Sequence, residues 1–182
     1  ALKLKQLPHV VACFFGDGAI NRGPFLESLN WAAIHALPVL FVCEDNRWSA
    51  TTPTDAMTAG EGALARAQAI GVPGLQVDGN DVFAVDDAAA VLLKDTRAGK
   101  GPRFLHAITY RFKGHVSVDA PANRDKSQVA RALENDPLAL AASRVPDARA
   151  ILEEAEKEVK RAVEAARASR APEAREAYED IQ

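Results

Sequence analysis

The stretch VVACFFGDGAI, residues 10–20, and the stretch PVLFVCEDN, residues 38–46, decide the fold of this chain. In each stretch a continuous apolar run ends in polar residues, as a buried strand of a parallel sheet does where it leaves the core. The residues between them, 23–37, have the periodicity of a helix, which predicts a strand–helix–strand crossover. Such crossovers are almost always right-handed with parallel strands, so we expect Asp17 and Asn46 at the same edge of the sheet. Ligands of open α/β sheets bind at that carboxyl-terminal edge.

Asp17 and Asn46 offer a carboxylate oxygen and an amide oxygen, which are hard donors of the kind that Mg²⁺ or Ca²⁺ selects. Mg²⁺ is usually held by one or two protein groups and completes its shell with water and phosphate oxygens. The pair therefore predicts a cation bound together with a phosphate. Gly16-Asp17-Gly18 by itself is more typical of a tight turn, because Asp and Gly tolerate positive φ.

Further motifs extend along nearly the entire chain. They are GDGAINRG at 16–23, FLESLN at 25–30, LPVLFVCEDNRW at 37–48, PGLQVDGNDV at 73–82, GKGP at 99–102 and TYRFKGH at 109–115. In this order and spacing they resemble the alpha subunit of the decarboxylating component of 2-oxoacid dehydrogenase complexes, the family of pyruvate, branched-chain and acetoin dehydrogenases. The resemblance implies a thiamine diphosphate-binding α/β fold, with a Rossmann-like parallel sheet, flanking helices and a C-terminal helix.

The resemblance also implies roles for individual residues. Mg²⁺ would be held by Asp17, by the amide oxygen of Asn46 and by the backbone carbonyl of Trp48. His115 matches the active-site loop histidine that lies near the cofactor and helps to pass the acyl group onward, so we expect it to be catalytic. The cofactor-binding set is then Gly16, Asp17, Gly18, Ala19, Asn46, Trp48 and His115. Glycine suits a backbone that approaches a diphosphate closely, and the helix that follows would offer its free N–H groups.

The implied reaction is the oxidative decarboxylation of a small 2-oxo acid, with transfer of the acyl group to a lipoyl-bearing acyltransferase. Glu44 stands where branched-chain members often carry arginine, which favours a pyruvate-like or acetoin-like substrate. We expect the beta subunit of the same component to complete the site in a heterotetramer, so that this chain is inactive alone. Two alternatives stay open: another thiamine diphosphate enzyme, transketolase-like or a decarboxylase, and a non-catalytic assembly subunit.

Two departures from the family pattern bear on the site. Asp45 replaces the first of the family's two asparagines and adds negative charge beside the proposed metal, so we expect it to point away or to be screened. Val116 stands where members regulated by phosphorylation carry serine, which excludes phosphorylation at that position. We interpret the nearby Ser117 as an ordinary loop serine.

The composition argues against several classes of function. The chain has 22 basic and 25 acidic residues, a net charge of −3 and no basic block, so we expect no nucleic-acid partner. Its apolar runs are far shorter than the roughly 20 residues that cross a membrane, so we expect no membrane association. We interpret the chain as cytoplasmic, or as a protein of an organelle matrix that has lost a transit segment. Cys13 and Cys43 fall inside the predicted strands, where we expect buried apolar packing and no disulfide.

The remaining patterns predict two domains. Residues 1–146 would form the α/β domain that binds diphosphate and Mg²⁺, with an active-site loop at about 111–127, and residues 147–182 would form a C-terminal helical segment. Other predicted elements are a helix from a Thr58/Glu61 capping box to about residue 70, a strand at 75–77, a helix from Asn80 or Asp81 to Gly99, a strand at 104–110 and a short helix at 127–133. We interpret His35 and His106 as packed core histidines.

Residues 147–169 predict a long helix rich in Ala, Glu, Lys and Arg. The pairs Glu153/Lys157 and Glu156/Lys160 have the four-residue spacing of stabilising ion pairs. A narrow apolar stripe follows a near-heptad pattern, so we expect it to pack on the domain or on a partner subunit. The stripe consists of Leu152, Ala155, Val159, Ala162 and Ala166.

Overall fold

The computed structural model describes residues 1–116 and 125–178. The chain divides into two compact units, Ala1–Ala141 and Ala142–Gln182. In chain order the helices and strands are β1 (Val11–Gly16), α1 (Gly23–Ile34), β2 (Val39–Asp45), β3 (Trp48–Ser49), β4 (Thr52–Pro53), α2 (Gly62–Ala69), β5 (Gly74–Asp78), α3 (Val82–Arg97), β6 (Arg103–Ile108), α4 (Lys126–Leu133), α5 (Pro137–Ala142) and α6 (Ala148–Ala168). Short 3₁₀ turns lie at Asp17–Asn21, Thr54–Ala56 and Ala174–Tyr178.

Four strands form a parallel sheet in the order β1-β2-β6-β5, and β3 pairs with β4 as a small antiparallel hairpin. The α/β class and the parallel crossover are therefore confirmed. The pairing of β1 with β2 ends with Gly16 opposite Glu44. Asp17 and Asn46 follow closely in sequence, so both leave the sheet at its carboxyl-terminal edge, as predicted.

The central strands β2 and β6 are covered on both faces. On one face Phe41, Cys43 and Phe104 pack with apolar residues of α1 and α2. On the other face Leu40, Val42 and Leu105 pack with α3. Burial on both faces requires a run of apolar residues without alternation, which is the pattern that residues 38–43 show.

The first strand differs from the prediction of a buried strand. It lies at an edge of the described sheet, where Phe14 is 65% exposed and Cys13 is exposed, whereas Cys43 is fully buried. The expected burial of Cys13 was wrong because a continuous apolar run does not distinguish an edge strand from a central one.

The starts of α3 and α2 differ in whether a local side chain caps them. Asp81 caps α3, since its side chain accepts hydrogen bonds from the backbone N–H groups of Phe83 and Ala84 at 3.0 and 3.4 Å. The capping box at Thr58 and Glu61 was wrong. Glu61 is the N-cap of α2 but makes no side-chain cap bond, and the Thr58 hydroxyl accepts instead from the Asn21 amide at 2.9 Å. A tertiary partner has taken the place of the local cap.

The two histidines interpreted as core residues have different environments. His106 is 3% exposed, which confirms its burial. His35 is exposed and stacks on Trp31 with ring centroids 4.9 Å apart, so its predicted burial was wrong. The reason is that His35 lies beside Trp31 and Ile34, which are themselves exposed on the side of α1 that faces away from the sheet.

In the second unit, α6 confirms the long helix. Its ion pairs include Arg149–Glu153 at 3.0 Å and Arg161–Glu154 at 2.8 Å, whereas the sequence pattern had pointed to Glu153 with Lys157. The Nζ of Lys157 lies instead 3.6 Å from the Oε2 of Glu154, which precedes Lys157 by three residues. Packing of its apolar stripe on the domain or on a partner subunit stays a prediction. Among the described residues, no helix combines the length and apolar character that crossing a membrane requires.

Candidate metal and diphosphate site

Asp17 is a nearly inaccessible carboxylate at the carboxyl-terminal edge of the sheet. It begins the 3₁₀ turn after β1, its side chain is 1% exposed, and the Thr54 hydroxyl donates a hydrogen bond to its Oδ2. Burial raises the pKa of Asp17 above its usual range, against the hydrogen bond from Thr54, and the neighbouring Asp45 charge adds to the rise. A carboxylate in such surroundings is stabilised in its charged form by a bound cation.

The segment after β2 is a compact pair of turns. The Asp45 Oδ1 accepts from the Arg47 N–H at 2.9 Å, and the Asn46 Oδ1 accepts from the Trp48 N–H at 3.0 Å. Asn46 and Trp48 are both half-buried. An amide oxygen has two lone pairs, so the Asn46 oxygen keeps one for a cation while it holds the turn.

The Asp45 carboxylate has a hydrogen-bond partner on each oxygen, and the Arg47 guanidinium lies 3.8 Å from its Oδ1. Its Oδ2 lies 2.8 Å from Nε2 of His106, and both side chains are at least nine-tenths buried. Burial alone would raise the pKa of Asp45, but the hydrogen bonds from His106 and from the Arg47 N–H bring it below its usual value. Sequence reasoning placed His106 in the core and missed this pair, because the pairing depends on β6 lying beside β2.

Gly18 marks the contact between the 3₁₀ turn and the hairpin β3–β4. A Cβ atom at Gly18 would lie 2.5 Å from the Ser49 Oγ and 3.1 Å from the Ser49 Cβ. At Gly16, the exposed last residue of β1, a Cβ would meet nothing closer than the Glu44 carbonyl oxygen at 3.9 Å. The hairpin thus packs on the turn that contains Asp17, and this contact brings the segments after β1 and β2 together.

The rest of the 3₁₀ turn is held by Arg66 of α2. Its guanidinium donates to the Ile20 carbonyl at 2.7 Å, to the Asn21 Oδ1 at 2.8 Å and to the Ala59 carbonyl at 3.2 Å. Ala19 lies in the same turn and is half-buried. Sequence reasoning missed Arg66, since no local pattern indicates that α2 lies against this turn.

The helix α1 begins directly after this turn. Its N-cap is Arg22, which makes no side-chain cap hydrogen bond, and proline stands in its first turn. The N–H groups of a helix start point outward with the positive end of the helix dipole. Pro24 has no N–H group and the Phe25 N–H donates to the Arg22 carbonyl at 3.1 Å, so this start would attract an anion such as a diphosphate mainly through the helix dipole.

His115 is exposed and is held toward the hairpin by Arg111. One guanidinium nitrogen of Arg111 lies 3.2 Å from the His115 Nδ1, and another donates to the Ala50 carbonyl at 2.6 Å. The positive charge of Arg111 also slightly lowers the pKa of Asp17. Residues 117–124 of the predicted loop, including Ser117, lie outside the described residues.

The donor set is not a closed protein cage. Within the described residues, no group of three His, Cys, Asp or Glu side chains could hold a metal ion. A cleft of about 730 Å³ lies beside the site, and its lining includes Asp45, Trp48, Thr54 and His106. One buried carboxylate with amide and carbonyl oxygens nearby suits a cation whose remaining ligands are water and phosphate.

Comparison with known proteins places these features in context. The sequence profile of the family described as the dehydrogenase E1 component matches residues 1–180. The chain is 42% identical over 132 residues to the alpha subunit of acetoin:2,6-dichlorophenolindophenol oxidoreductase from Bacillus subtilis, covering 72% of this chain and 40% of that protein. It is 37% identical over 156 residues to the pyruvate dehydrogenase E1 component subunit alpha of Rhizobium meliloti, covering 85% and 45%. It is 39% identical over 125 residues to the 2-oxoisovalerate dehydrogenase subunit alpha of Bacillus subtilis, covering 68% and 38%. The chain thus spans less than half the length of these curated relatives.

Proposed function

This chain belongs to the dehydrogenase E1 component family, and from that premise we propose that it is the part of an alpha subunit that binds Mg²⁺ and the diphosphate of thiamine diphosphate. The reaction served is the oxidative decarboxylation of a small 2-oxo acid. The observation that carries the proposal is the buried Asp17 carboxylate, brought beside the segment after β2 by the contact of Gly18 with Ser49.

The residues of this edge fit the proposed group. Asp17 would supply the one anionic ligand of Mg²⁺, and the Asn46 amide oxygen and Trp48 carbonyl would supply two neutral ones. The backbone of residues 16–19 and the start of α1 would lie against the diphosphate. Thiamine diphosphate supplies the electron sink that loss of CO₂ from a 2-oxo acid requires. His115, oriented by Arg111, would move a proton during transfer of the acyl group.

Substrate and partners follow from the same premise. The relatives are named for acetoin, pyruvate and 2-oxoisovalerate, and Glu44 favours a pyruvate-like or acetoin-like substrate. Because those relatives are named as alpha subunits, we expect a beta subunit in a heterotetramer and a lipoyl-bearing acyltransferase as acceptor. The expected compartment is the cytoplasm or an organelle matrix. The Asp45 carboxylate is hydrogen-bonded to His106 and lies 3.8 Å from the Arg47 guanidinium, so its charge has partners within the protein, which favours a catalytic over a non-catalytic subunit.

The test is isothermal titration of thiamine diphosphate, with and without Mg²⁺, into the chain alone and into the chain mixed with its beta subunit. We expect binding that needs both Mg²⁺ and the partner, and that Asp17→Ala and Asn46→Ala abolish it. Asp87→Ala removes an exposed carboxylate from α3 and serves as the matched control. Binding that persists in both site variants would overturn the metal assignment. An absence of binding by the parent complex would overturn the enzyme function.

A further inference from the structure

The turn after β2 has a backbone conformation that requires support. Arg47 has a φ of 64°, a region that non-glycine residues occupy only where surrounding contacts enforce it. One such contact is the bond from the Arg47 N–H to the Asp45 Oδ1 at 2.9 Å, and another is the bond from the Thr54 N–H to the Arg47 carbonyl at 2.9 Å. The conformation of the turn therefore depends on where the Asp45 carboxylate points.

His106 fixes that carboxylate. The strand pairing places His106 opposite Cys43, and the Thr109 N–H donates to the Asp45 carbonyl at 2.8 Å, so both backbones are tied to the sheet. From this position the His106 Nε2 donates to the Asp45 Oδ2 at 2.8 Å. With one oxygen bound to His106, the other is left in place for the Arg47 N–H.

The two side chains are also matched in their hydrogen-bonding roles. The His106 Nδ1 is buried and has no hydrogen-bond partner among the described residues. An asparagine at position 45 could keep the Arg47 bond through its oxygen, but it would present an NH₂ group to the Nε2 of His106. The ring proton would then have to sit on Nδ1, as a buried donor without an acceptor, which is unfavourable.

We infer that His106 is a positioning residue for the proposed metal site: acting through Asp45, it fixes the turn that presents the Asn46 amide oxygen and the Trp48 carbonyl. The metal part of this inference rests on the proposed function. The effect of His106 on the order of the turn does not, and the two are measured separately.

The order of the turn is measured through Trp48. The chain has two tryptophans, and Trp31 is an exposed residue of α1, so Trp31→Phe leaves Trp48 as the single reporter. In that background we expect His106→Leu to raise the acrylamide quenching constant of Trp48 about twofold, because a loosened turn opens locally to solvent. His106→Gln keeps a donor close to the Nε2 position and should leave quenching unchanged.

Leu105→Ala is the matched control. Leu105 is the neighbour of His106 on β6, is 2% exposed and packs on the opposite face with Leu40 and Val42. The substitution Leu105→Ala weakens the packing of the same strand without removing a contact of Asp45, so Trp48 quenching should stay at the parent level. If Leu105→Ala and His106→Leu raise quenching equally, or if neither does, the inference is overturned.

A second comparison uses the matched roles of the pair. Asp45→Asn should raise Trp48 quenching when His106 is present. It should have little effect in the His106→Gln background, because a glutamine amide can present its oxygen to the asparagine as readily as it presents its NH₂ to the aspartate. This non-additivity is what a direct contact produces, and equal effects in both backgrounds would contradict the inference. The comparison remains available if His106→Leu does not fold.

The metal readout is Mn²⁺ affinity, measured by electron paramagnetic resonance on the chain with its beta subunit and thiamine diphosphate. We expect His106→Leu to weaken Mn²⁺ binding about tenfold, as loss of a group that orients a metal ligand typically does. Equal Mn²⁺ affinity of the parent and His106→Leu would overturn the inference. If the parent binds no Mn²⁺, the proposed function fails, while the quenching data still decide whether His106 orders the turn.

Discussion

Substitution of Gly18 tests whether the hairpin or the diphosphate requires a glycine at this position. In Gly18→Ala the new Cβ would lie 2.5 Å from the Ser49 Oγ and 3.1 Å from the Ser49 Cβ. Rotation of the hydroxyl relieves the first contact, but the second needs a shift of β3 by a few tenths of an ångström. Because overpacking of a well-packed contact costs about 1–3 kcal/mol, we expect a loss of about 1–2 kcal/mol in the free energy of unfolding. For a chain of this size that loss corresponds to about 2–8 °C in Tm.

Ser49→Gly provides the rescue. Without the serine side chain the nearest atom to the new Cβ is the Ser49 Cα at 3.6 Å, which is an ordinary contact. The double variant Gly18→Ala/Ser49→Gly should therefore be no less stable than Ser49→Gly alone, with a coupling energy of about 1–2 kcal/mol. Urea unfolding followed by circular dichroism measures all four stabilities, and Gly16→Ala, which meets nothing within 3.4 Å, is the control with little expected effect.

The cycle also separates two reasons for the glycine. If packing against Ser49 is the whole reason, the double variant regains thiamine diphosphate affinity together with stability. If Gly18 also lets the backbone approach the diphosphate, stability returns but affinity stays low. Additive losses of stability, or a stable Gly18→Ala single variant, would refute the packing argument.

Three further predictions concern contacts around the site and the sheet. Arg66→Ala should lower the free energy of unfolding by about 1.5–3 kcal/mol, because three acceptors lose a charged donor. It should also weaken thiamine diphosphate binding in titration calorimetry. Arg66→Lys, which lacks the forked guanidinium, should restore only part of the stability and part of the binding. Asn80→Ala should lower the free energy of unfolding by about 1–3 kcal/mol, because the buried Asn80 side chain accepts from the Thr109 hydroxyl at 2.7 Å and donates to the Asn135 carbonyl at 2.9 Å. An unchanged urea midpoint of unfolding would contradict this prediction. The hydrogen bond from Lys100 and the contact with Arg103 lower the pKa of Asp95, so the stability that Asp95 contributes is present above its unfolded pKa and is lost as the pH falls through the folded pKa. Asp95→Asn should therefore be less stable than the parent at neutral pH and equal to it in strong acid, and a difference that persists in strong acid would exclude this linkage.

The sequence was sufficient for the parts of the fold that depend on local pattern. The apolar runs predicted the strands around Asp17 and Asn46, and the crossover rule predicted that both residues leave the sheet at one edge. The helix start at Asn80 or Asp81 was predicted because both residue types favour the N-cap, and in the structure Asp81 is the cap. These inferences needed only contacts between residues close in sequence or a topological rule with few exceptions.

The features that sequence reasoning missed depend on which elements become neighbours. The Asp45–His106 pair exists because β6 lies between β2 and β5, an order that no periodicity reveals. The exposure of Cys13 follows from the edge position of β1 in the described sheet. Arg66 acts on a turn 45 residues before it, and the hydroxyl of Thr58 is used by Asn21 rather than as a cap. In each case the environment of the side chain is decided by elements distant in sequence, which no local pattern contains.

In the proposed site at the sheet edge, we expect the cation and the diphosphate to bind together. Asp45 is already paired with His106, so among the described residues Asp17 is the buried carboxylate left to face a cation at this edge. A single carboxylate with two neutral oxygens does not compensate a divalent charge, and Mg²⁺ gives up its water reluctantly. A diphosphate would supply the missing negative charge and the remaining oxygens, and the positive end of the α1 dipole lies at the start of that helix. The pairing of Asp45 with His106 shapes the turn and directs that carboxylate to β6, so in the proposed site Asp17 and the diphosphate would be the anionic ligands of the cation.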